Sequence, residues 1–573
     1  MYSTDVLVVG SEASGAQAAI AAAEAGAYVT VVTKGKVNMS GATLTASADI
    51  NVDSKTAKEL GLPGDSGDSE EQFFTDTVIG GKYLNNQKLV ESIVRKIPTV
   101  LKGLMDDGLK AESLIHTPGH EYPRGVIVNG LKLTRKLAQK MRKHDRVTIM
   151  EQIMVLEILK KDGKACGIYG YDLANGMFIT IRAKAVVLAT GGGMAAFPIR
   201  TAPDELTGDG YMMAWRAGAE LIDMEMPQFM PGVLINPPAW RGNQFIYEIS
   251  FGSKHGLEGW LLNKSGIRFM KDWDPERMEK STRDKLSIAI MNEVVEGRGT
   301  PDGGVYYSTA HLPKNLIRRF ADWYPFVTSD WTYEKLNFND LMEELLRDNA
   351  VEIGVGCHFF MGGIRINVDG ETSVPGLYGA GEATGGFNGA NRISGNALTE
   401  TLVQGGVSGA AAAAYAKEHE LLEIETAQLD ALHEKQQAYL KRQDGMNPYE
   451  LRQELAKLSW NNIGVVRTTE NLQSVIKELR TIREEKLPQL VTKDKTLHYN
   501  RELLECMQLE NVVSLLEAIA LSALERKESR GAHYLKDIPE SREDQLKNII
   551  VQNINGEMKI KDVPLVVTSI QPN

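Results

Sequence analysis

The hydrophobic pattern opens on an apolar run of strand length, "DVLVVG" (residues 5–10), followed by "GAQAAIAAAEAG" (15–26). The second segment reads as a helix of small residues able to pack closely on a sheet, and "YVTVVTK" (28–34) supplies another strand, completing a β-α-β start. Further along, "AKAVVLATGGG" (183–193) is an apolar strand ending in glycines, and "GLYGAGEATGG" (376–386) predicts a strand and turn. Between about 225 and 355 the patterning is mixed and several tryptophans occur (Trp240, Trp260, Trp273, Trp323, Trp331). From about 418 to 530 the periodicity turns helical: "IETAQLDALHEKQQAYLKRQ" and "TTENLQSVIKELRTIREEKL" repeat apolar residues at three- and four-residue spacing. The last forty residues, rich in charge and proline, predict an irregular tail.

These elements predict an α/β chain: a Rossmann-like nucleotide domain (1–225 and 355–417) split by an inserted domain of mixed, α+β patterning (226–354). A helical domain (418–540) and a tail (541–573) follow. A length of 573 residues suits two or three such units. Lys and Arg total 64 against 75 Asp and Glu, a net charge of −11 that argues against nucleic acid as a partner. Three cysteines, Cys166, Cys357 and Cys506, lie far apart without a C-x-x-C pair, so they cannot ligate an iron–sulfur cluster and fit a reducing cytoplasm. No metal site is indicated. The strand pattern begins within five residues of the start, leaving no room for a signal peptide, and no uninterrupted apolar run reaches the length of a membrane span.

The first β-α turn, "GSEASG" (10–15), is a dinucleotide-binding G-x-G-x-x-G with Glu12 in place of the middle glycine, the residue that normally lets backbone approach a pyrophosphate. By itself the segment is equally a glycine-rich turn. Thr33 and Lys34 close the second strand, where a ribose-binding group belongs, although the usual acidic residue is missing.

The segment 355–398, "VGCHFFMGGIRINVDGETSVPGLYGAGEATGGFNGANRISGNAL", carries a specific resemblance. With "ELTGDGYMMAWRAGAEL" (205–221), "NKSGIRFMKDW…STRDKLSIAIMNEVVEGRG" (263–299) and "ALERKESRGAHYLKDIP" (523–539), it resembles the flavoprotein subunits of succinate dehydrogenase and fumarate reductase. L-aspartate oxidase and adenylylsulfate reductase share the resemblance, which covers nearly the whole chain. It implies that the inserted domain (226–354) is a capping domain. It also implies FAD, with Gly10, Ser14, Gly15, Thr33, Lys34, Ala42, Thr190, Gly191, Asp209, Glu382, Ala397 and Leu398 at cofactor positions. Ala397 and Leu398 open a helix whose free N–H groups would face the pyrimidine end of the flavin and favour negative charge there. In succinate dehydrogenases a histidine in the segment matching "MSGATLTASADIN" binds FAD covalently; that position is Ala42, so the cofactor is expected to be non-covalent. Losing that link would lower the flavin potential and favour substrate reduction.

The resemblance also assigns catalysis. His358 and Arg392 match the residues that clamp one substrate carboxylate, and Arg283 matches the arginine that protonates one alkene carbon while flavin N5 delivers hydride to the other. Arginine suits the clamp because its planar fork grips carboxylate bidentately. As an acid it needs a carbanion-like acceptor and close relay groups. The second clamp departs from the family: "QFHPTG" becomes "QFMPGV", putting Met230 at a binding histidine and Phe251 at a binding threonine. Gly252 and His255 replace the relay glutamate and arginine, while a shifted register would offer Glu248, with Lys254 also nearby. A pocket with one clamp and one apolar end fits an unsaturated carboxylate bearing an uncharged or bulky substituent. Electrons would come from an iron–sulfur subunit docked near "RKESRGAHYLKDIP", a segment otherwise read as a solvated helix end. A cytoplasmic protein, membrane-associated only through partners, is expected. An aspartate oxidase-like enzyme, a component of adenylylsulfate reductase and a non-catalytic electron-transfer flavoprotein remain alternatives.

Overall fold

The computed structural model describes residues 2–572 apart from 112, 118, 245–256 and 320–337. Its core is a mixed seven-stranded sheet in which Tyr2–Val9 pairs in parallel with Val29–Thr33 on one side and Met177–Leu188 on the other. Val147–Glu151 extends the first flank, and Leu377–Gly379 pairs in parallel with Met177–Leu188. The carboxyl ends of four parallel strands thus bring Gly10, Thr33, Thr190 and Glu382 to one crevice, where open α/β sheets place their ligands.

The small-residue helix Ala13–Glu24 owes its composition to a neighbour as well as to the sheet. It lies against Asn396–Glu418, whose Gly405 and Gly409 let the two backbones touch: a Cβ at Gly409 would overlap the Ala18 carbonyl oxygen. The pairing stitches the end of the nucleotide fold onto its first helix.

A second, four-stranded antiparallel sheet joins Pro227–Leu234 to Ala350–Phe360, then Val305–Ser308 and Trp260–Leu262. Ala350–Phe360 runs continuously through position 355, so this sheet feeds straight into the nucleotide fold. The helix Arg283–Val295 packs beneath it, with Ser287 Oγ donating to the Phe229 carbonyl at 3.0 Å. Trp323 and Trp331 lie outside the described residues.

The helices after 418 are Thr426–Lys441, Pro448–Leu458, Thr469–Thr481 and Arg501–Glu525. The last is long and apolar enough to cross a membrane by composition, a run that reading for uninterrupted apolar stretches overlooks. Inside the fold, 83% of its most apolar window is buried, which makes it a core helix. The terminal segment is not an irregular tail: Lys547–Ile554 and Glu557–Pro564 form an antiparallel hairpin joined to Leu221–Ile222. Ile549, Ile550 and Val551 are its buried anchors, masked in the sequence by the surrounding charge.

Gly409→Val forces a branched side chain into the Ala18 backbone and is expected to destabilise by about 2–3 kcal/mol or more, or to prevent folding. Gly406→Ala, mid-helix where an added Cβ meets nothing within 4 Å, is expected to stabilise by up to about 1 kcal/mol; thermal unfolding of both variants checks the contrast.

Candidate active site

Gly10 begins the site with φ +113° and no room for a Cβ against the Ala189 carbonyl. Gly15 does not line the crevice; it lets the helix start press on the Gly10 carbonyl. Around that turn lies a cavity of about 130 Å³ lined by Ser14, Thr33, Lys34, Ala42, Gly191 and Asp209, among others. The Ser11 and Thr190 hydroxyl oxygens are buried on it without a hydrogen-bond partner among the described residues, which is the state expected of groups that await a polar ligand. The helix Ala13–Glu24 opens here without a side-chain cap, leaving first-turn N–H groups to meet an anion.

Asp209 is held in place from three sides: Lys34 Nζ at 2.8 Å, Thr207 Oγ1 at 2.7 Å and Asn511 Nδ2 at 2.7 Å. Burial would raise its pKa, but these donors outweigh burial and keep it below the usual carboxylate range. It therefore stays charged. Asn511, from the helix Arg501–Glu525, had no sequence signal of its own.

Glu12 is folded over the 41–44 loop. The Leu44 N–H donates to its Oε2 at 3.2 Å, and a Cβ at Gly41 would overlap its side chain. Burial, reinforced by the Glu205 carboxylate, pushes the Glu12 pKa up to about 8. A neutral carboxyl can line a phosphate cradle without like-charge repulsion, which answers how the turn tolerates it.

A second cavity of about 210 Å³ shares Ala42, Thr43, Glu382 and Thr401 with the first. Ala397 and Leu398 enter it from the start of Asn396–Glu418, whose cap residue Gly395 provides no side chain, so the helix N-terminus faces the cavity. Burial lifts Glu382, whose Oε1 accepts from the Phe360 N–H at 3.0 Å, to about 7.

This cavity gathers Arg283, His358, Arg392 and Met230 from four separate segments. His358 Nδ1 is 2.7 Å from Thr201 Oγ1. Burial, with Arg392 and Arg283 close by, depresses its pKa well below the ordinary value, so the ring is neutral. In the tautomer in which the threonine hydroxyl donates to Nδ1, Nε2 carries the proton and is the donor left for a substrate. Arg392 is 6% exposed; its Nε donates to Gln228 Oε1 at 3.0 Å and its guanidinium lies 4.6 Å over the Phe359 ring. Arg283, 7% exposed at the start of Arg283–Val295, donates to Ser394 Oγ at 2.9 Å.

Met230 is 1% exposed on the strand facing Gly356, and its thioether offers no N–H or O–H to a carboxylate. Phe251, Glu248, Gly252, Lys254 and His255 lie outside the described residues. Thr201, Gln228 and Ser394, which orient the three functional side chains, carry no signal of their own in the sequence, although Gln228 opens the "QFMPGV" segment.

The C-terminal motif is not a solvated helix end. Arg526, Glu528 and His533 are fully buried. Arg526 Nε bonds Glu225 Oε1 at 2.6 Å, and Arg467 bridges the Glu225 carbonyl and His533 Nδ1, both at 2.8 Å. The Ala532 N–H then donates to the Ala390 carbonyl at 2.9 Å, two residues from Arg392. The buried charges of this motif thereby brace the loop that carries Arg392.

Comparison with known proteins settles the family. The FAD binding domain family matches residues 5–398, and the fumarate reductase flavoprotein C-terminal family matches 452–573. The chain belongs to the fumarate reductase and succinate dehydrogenase flavoproteins. It is similar to a fumarate reductase (CoM/CoB) chain of Methanothermobacter marburgensis, at 33% identity covering 96% of this chain and 97% of that one. It is also similar to an L-aspartate oxidase of Yersinia pestis, at 30% identity covering 95% and 97%. Among solved structures, an E. coli quinol fumarate reductase chain superposes with TM-score 0.87 at 27% identity, covering 100% of this chain and 98% of that one. Adenylylsulfate reductase from Archaeoglobus fulgidus, at 19% identity, shares the fold (TM-score 0.76, covering 99% and 96%). The flavoprotein is thus an FAD-dependent oxidoreductase acting on CH–CH groups.

Glu12 gives this family member a distinctive pH signature. An unfolded Glu12 titrates near 4.5 and the folded one near 8, so the unfolded chain loses its proton first and folding stability falls as pH rises between those values. Glu12→Gln has no such proton to lose. Its melting temperature is expected to gain on the parent's between about pH 5 and about pH 8 and to run parallel above that. Differential scanning calorimetry across pH checks this.

Proposed function

We propose that the flavoprotein reduces the C=C bond of an unsaturated carboxylate with one charged and one apolar end, using electrons passed from an iron–sulfur protein. The observation that carries the reading is the convergence of His358, Arg392 and Arg283 on one cavity that Met230 also lines. When bound without a covalent link, which Ala42 cannot make, FAD supplies the hydride for one alkene carbon.

The chain's own residues supply the rest. The Nε2–H of His358 and the guanidinium of Arg392 hold the substrate carboxylate and draw electron density out of the conjugated double bond. Gln228 fixes the angle of Arg392, and Thr201 fixes the tautomer of His358. Arg283 carries the proton for the second alkene carbon on its guanidinium, oriented by Ser394. A group of pKa about 12 or more donates only when the acceptor is carbanion-like, so protonation follows electron withdrawal by the clamp. Hydride and proton together convert CH=CH to CH₂–CH₂, a reduction whose two electrons would come from the partner and whose two protons would come from solvent, one of them through Arg283. The chain's cysteines are buried apart from one another, so the electron route lies in another protein, and any membrane attachment runs through such partners.

The Met230 end sets the substrate class. A second carboxylate buried against a thioether costs on the order of several kcal/mol, whereas an alkyl or aryl group is at home there.

Anaerobic oxidation of reduced dye by the FAD-loaded protein, screened over fumarate, cinnamate-like, urocanate-like and short branched enoates, tests the reading. A monocarboxylate enoate is expected to outperform fumarate in kcat/KM, and Arg283→Ala is expected to lower its turnover at least about 100-fold. Preference for fumarate alone, or survival of full turnover in Arg283→Ala, would overturn it. Peroxide formation in air with L-aspartate would move the assignment to amino-acid oxidation.

A further inference from the structure

A third cavity, of about 250 Å³, lies against the outer side of the same arginines. Lys82, Arg277, Arg283 and Arg392 line it together with Asn391 and Ser394, and among the described residues no carboxylate does. Arg283, Arg392 and Ser394 line the substrate cavity as well, so the two spaces are separated by one wall of guanidinium groups. The chamber reaches the surface, because Arg277 is exposed and Ile79, also on its lining, is 47% exposed.

Lys82 is held there at a conformational cost. Lys82 and Tyr83 both adopt left-handed backbone angles, φ 56° and 64°, which residues with a Cβ avoid. The turn is pinned from three places: Ala390 N–H to the Gly81 carbonyl at 2.8 Å, Arg530 to the Lys82 carbonyl at 3.5 Å, and Asn548 to the Leu84 carbonyl at 2.9 Å. Ala390 is in the Arg392 loop, so one set of hydrogen bonds registers Lys82 against the clamp.

We infer that this chamber is an anion-binding vestibule that captures the carboxylate of the incoming substrate and hands it to the Arg392 side of the clamp. A cleft lined by one sign of charge concentrates ions of the opposite sign and raises their association rate. Lys82 and Arg277 take no part in the chemistry and act on approach alone. The inference rests on the proposed reaction only for the identity of the anion.

The test combines a static and a kinetic arm. Crystals of the FAD-loaded protein soaked in sodium bromide are expected to show an anomalous peak in the chamber, within reach of Lys82 Nζ, that Lys82→Gln removes. In reduced-dye assays, Lys82→Gln and Arg277→Gln are each expected to lower kcat/KM for fumarate about threefold to tenfold at low ionic strength with kcat unchanged. The deficit should vanish near 0.5 M salt, where the Debye length is only about 4 Å. Absence of bromide from the chamber overturns the vestibule whether or not any enoate is reduced. Variants that match the parent in kcat/KM at low salt overturn its role in substrate capture.

Discussion

Concentrated positive charge on nearly buried side chains is the constraint on which the site depends. Arg283 and Arg392 retain only 7% and 6% of their exposure, and guanidinium groups keep their charge at any physiological pH. Removing such groups from water is expensive, so each must be gripped by groups that fix its geometry. Gln228 and Ser394 do so directly. Behind them the Ala390 backbone is tied to the 81–84 turn on one side and to the buried Arg526–Glu225 network on the other. Burial, aided by the same charge, keeps His358 neutral, so it serves as a hydrogen-bond donor rather than a third cation.

Buried acids follow the complementary rule. Burial brings Glu12 to about 8 and Glu382 to about 7, so near neutrality Glu12 lines the crevice mostly uncharged and Glu382 about half so. Asp209 is the exception, because Lys34, Thr207 and Asn511 supply enough donors to keep it ionised. Along one elongated crevice, the environment rather than the residue type decides which carboxyl is an anion.

Much of this was legible in the sequence wherever the information is local. The strand at 5–10, the small-residue helix after it and the helices beyond 418 declare themselves by period and composition. The resemblance to a flavoprotein family brought Arg283, His358 and Arg392 forward, and the fold gathers them on one cavity. What could not be read depends on contacts across long sequence separations. Thr201 meets His358 only because the segment around 200 runs beside Ala350–Phe360. Asn511 reaches Asp209 only because the last long helix crosses the nucleotide crevice. The charged motif near 530 looks solvated until its partners Glu225 and Arg467 are known, and the terminal hairpin hides three apolar anchors among lysines and acids.

The central claim is that the cavity has one end for a carboxylate and one for an apolar group. It is tested most directly by comparing the dissociation constants of succinate and of a saturated monocarboxylate of similar length, butanoate, for the oxidised FAD-loaded protein. Perturbation of the flavin absorbance provides the signal. Butanoate is expected to bind at least as tightly as succinate, because Met230, which lines the cavity, offers a second carboxylate no N–H or O–H. Binding of succinate about 100-fold tighter than butanoate, worth about 2.7 kcal/mol, would mean that a second clamp exists and would contradict it.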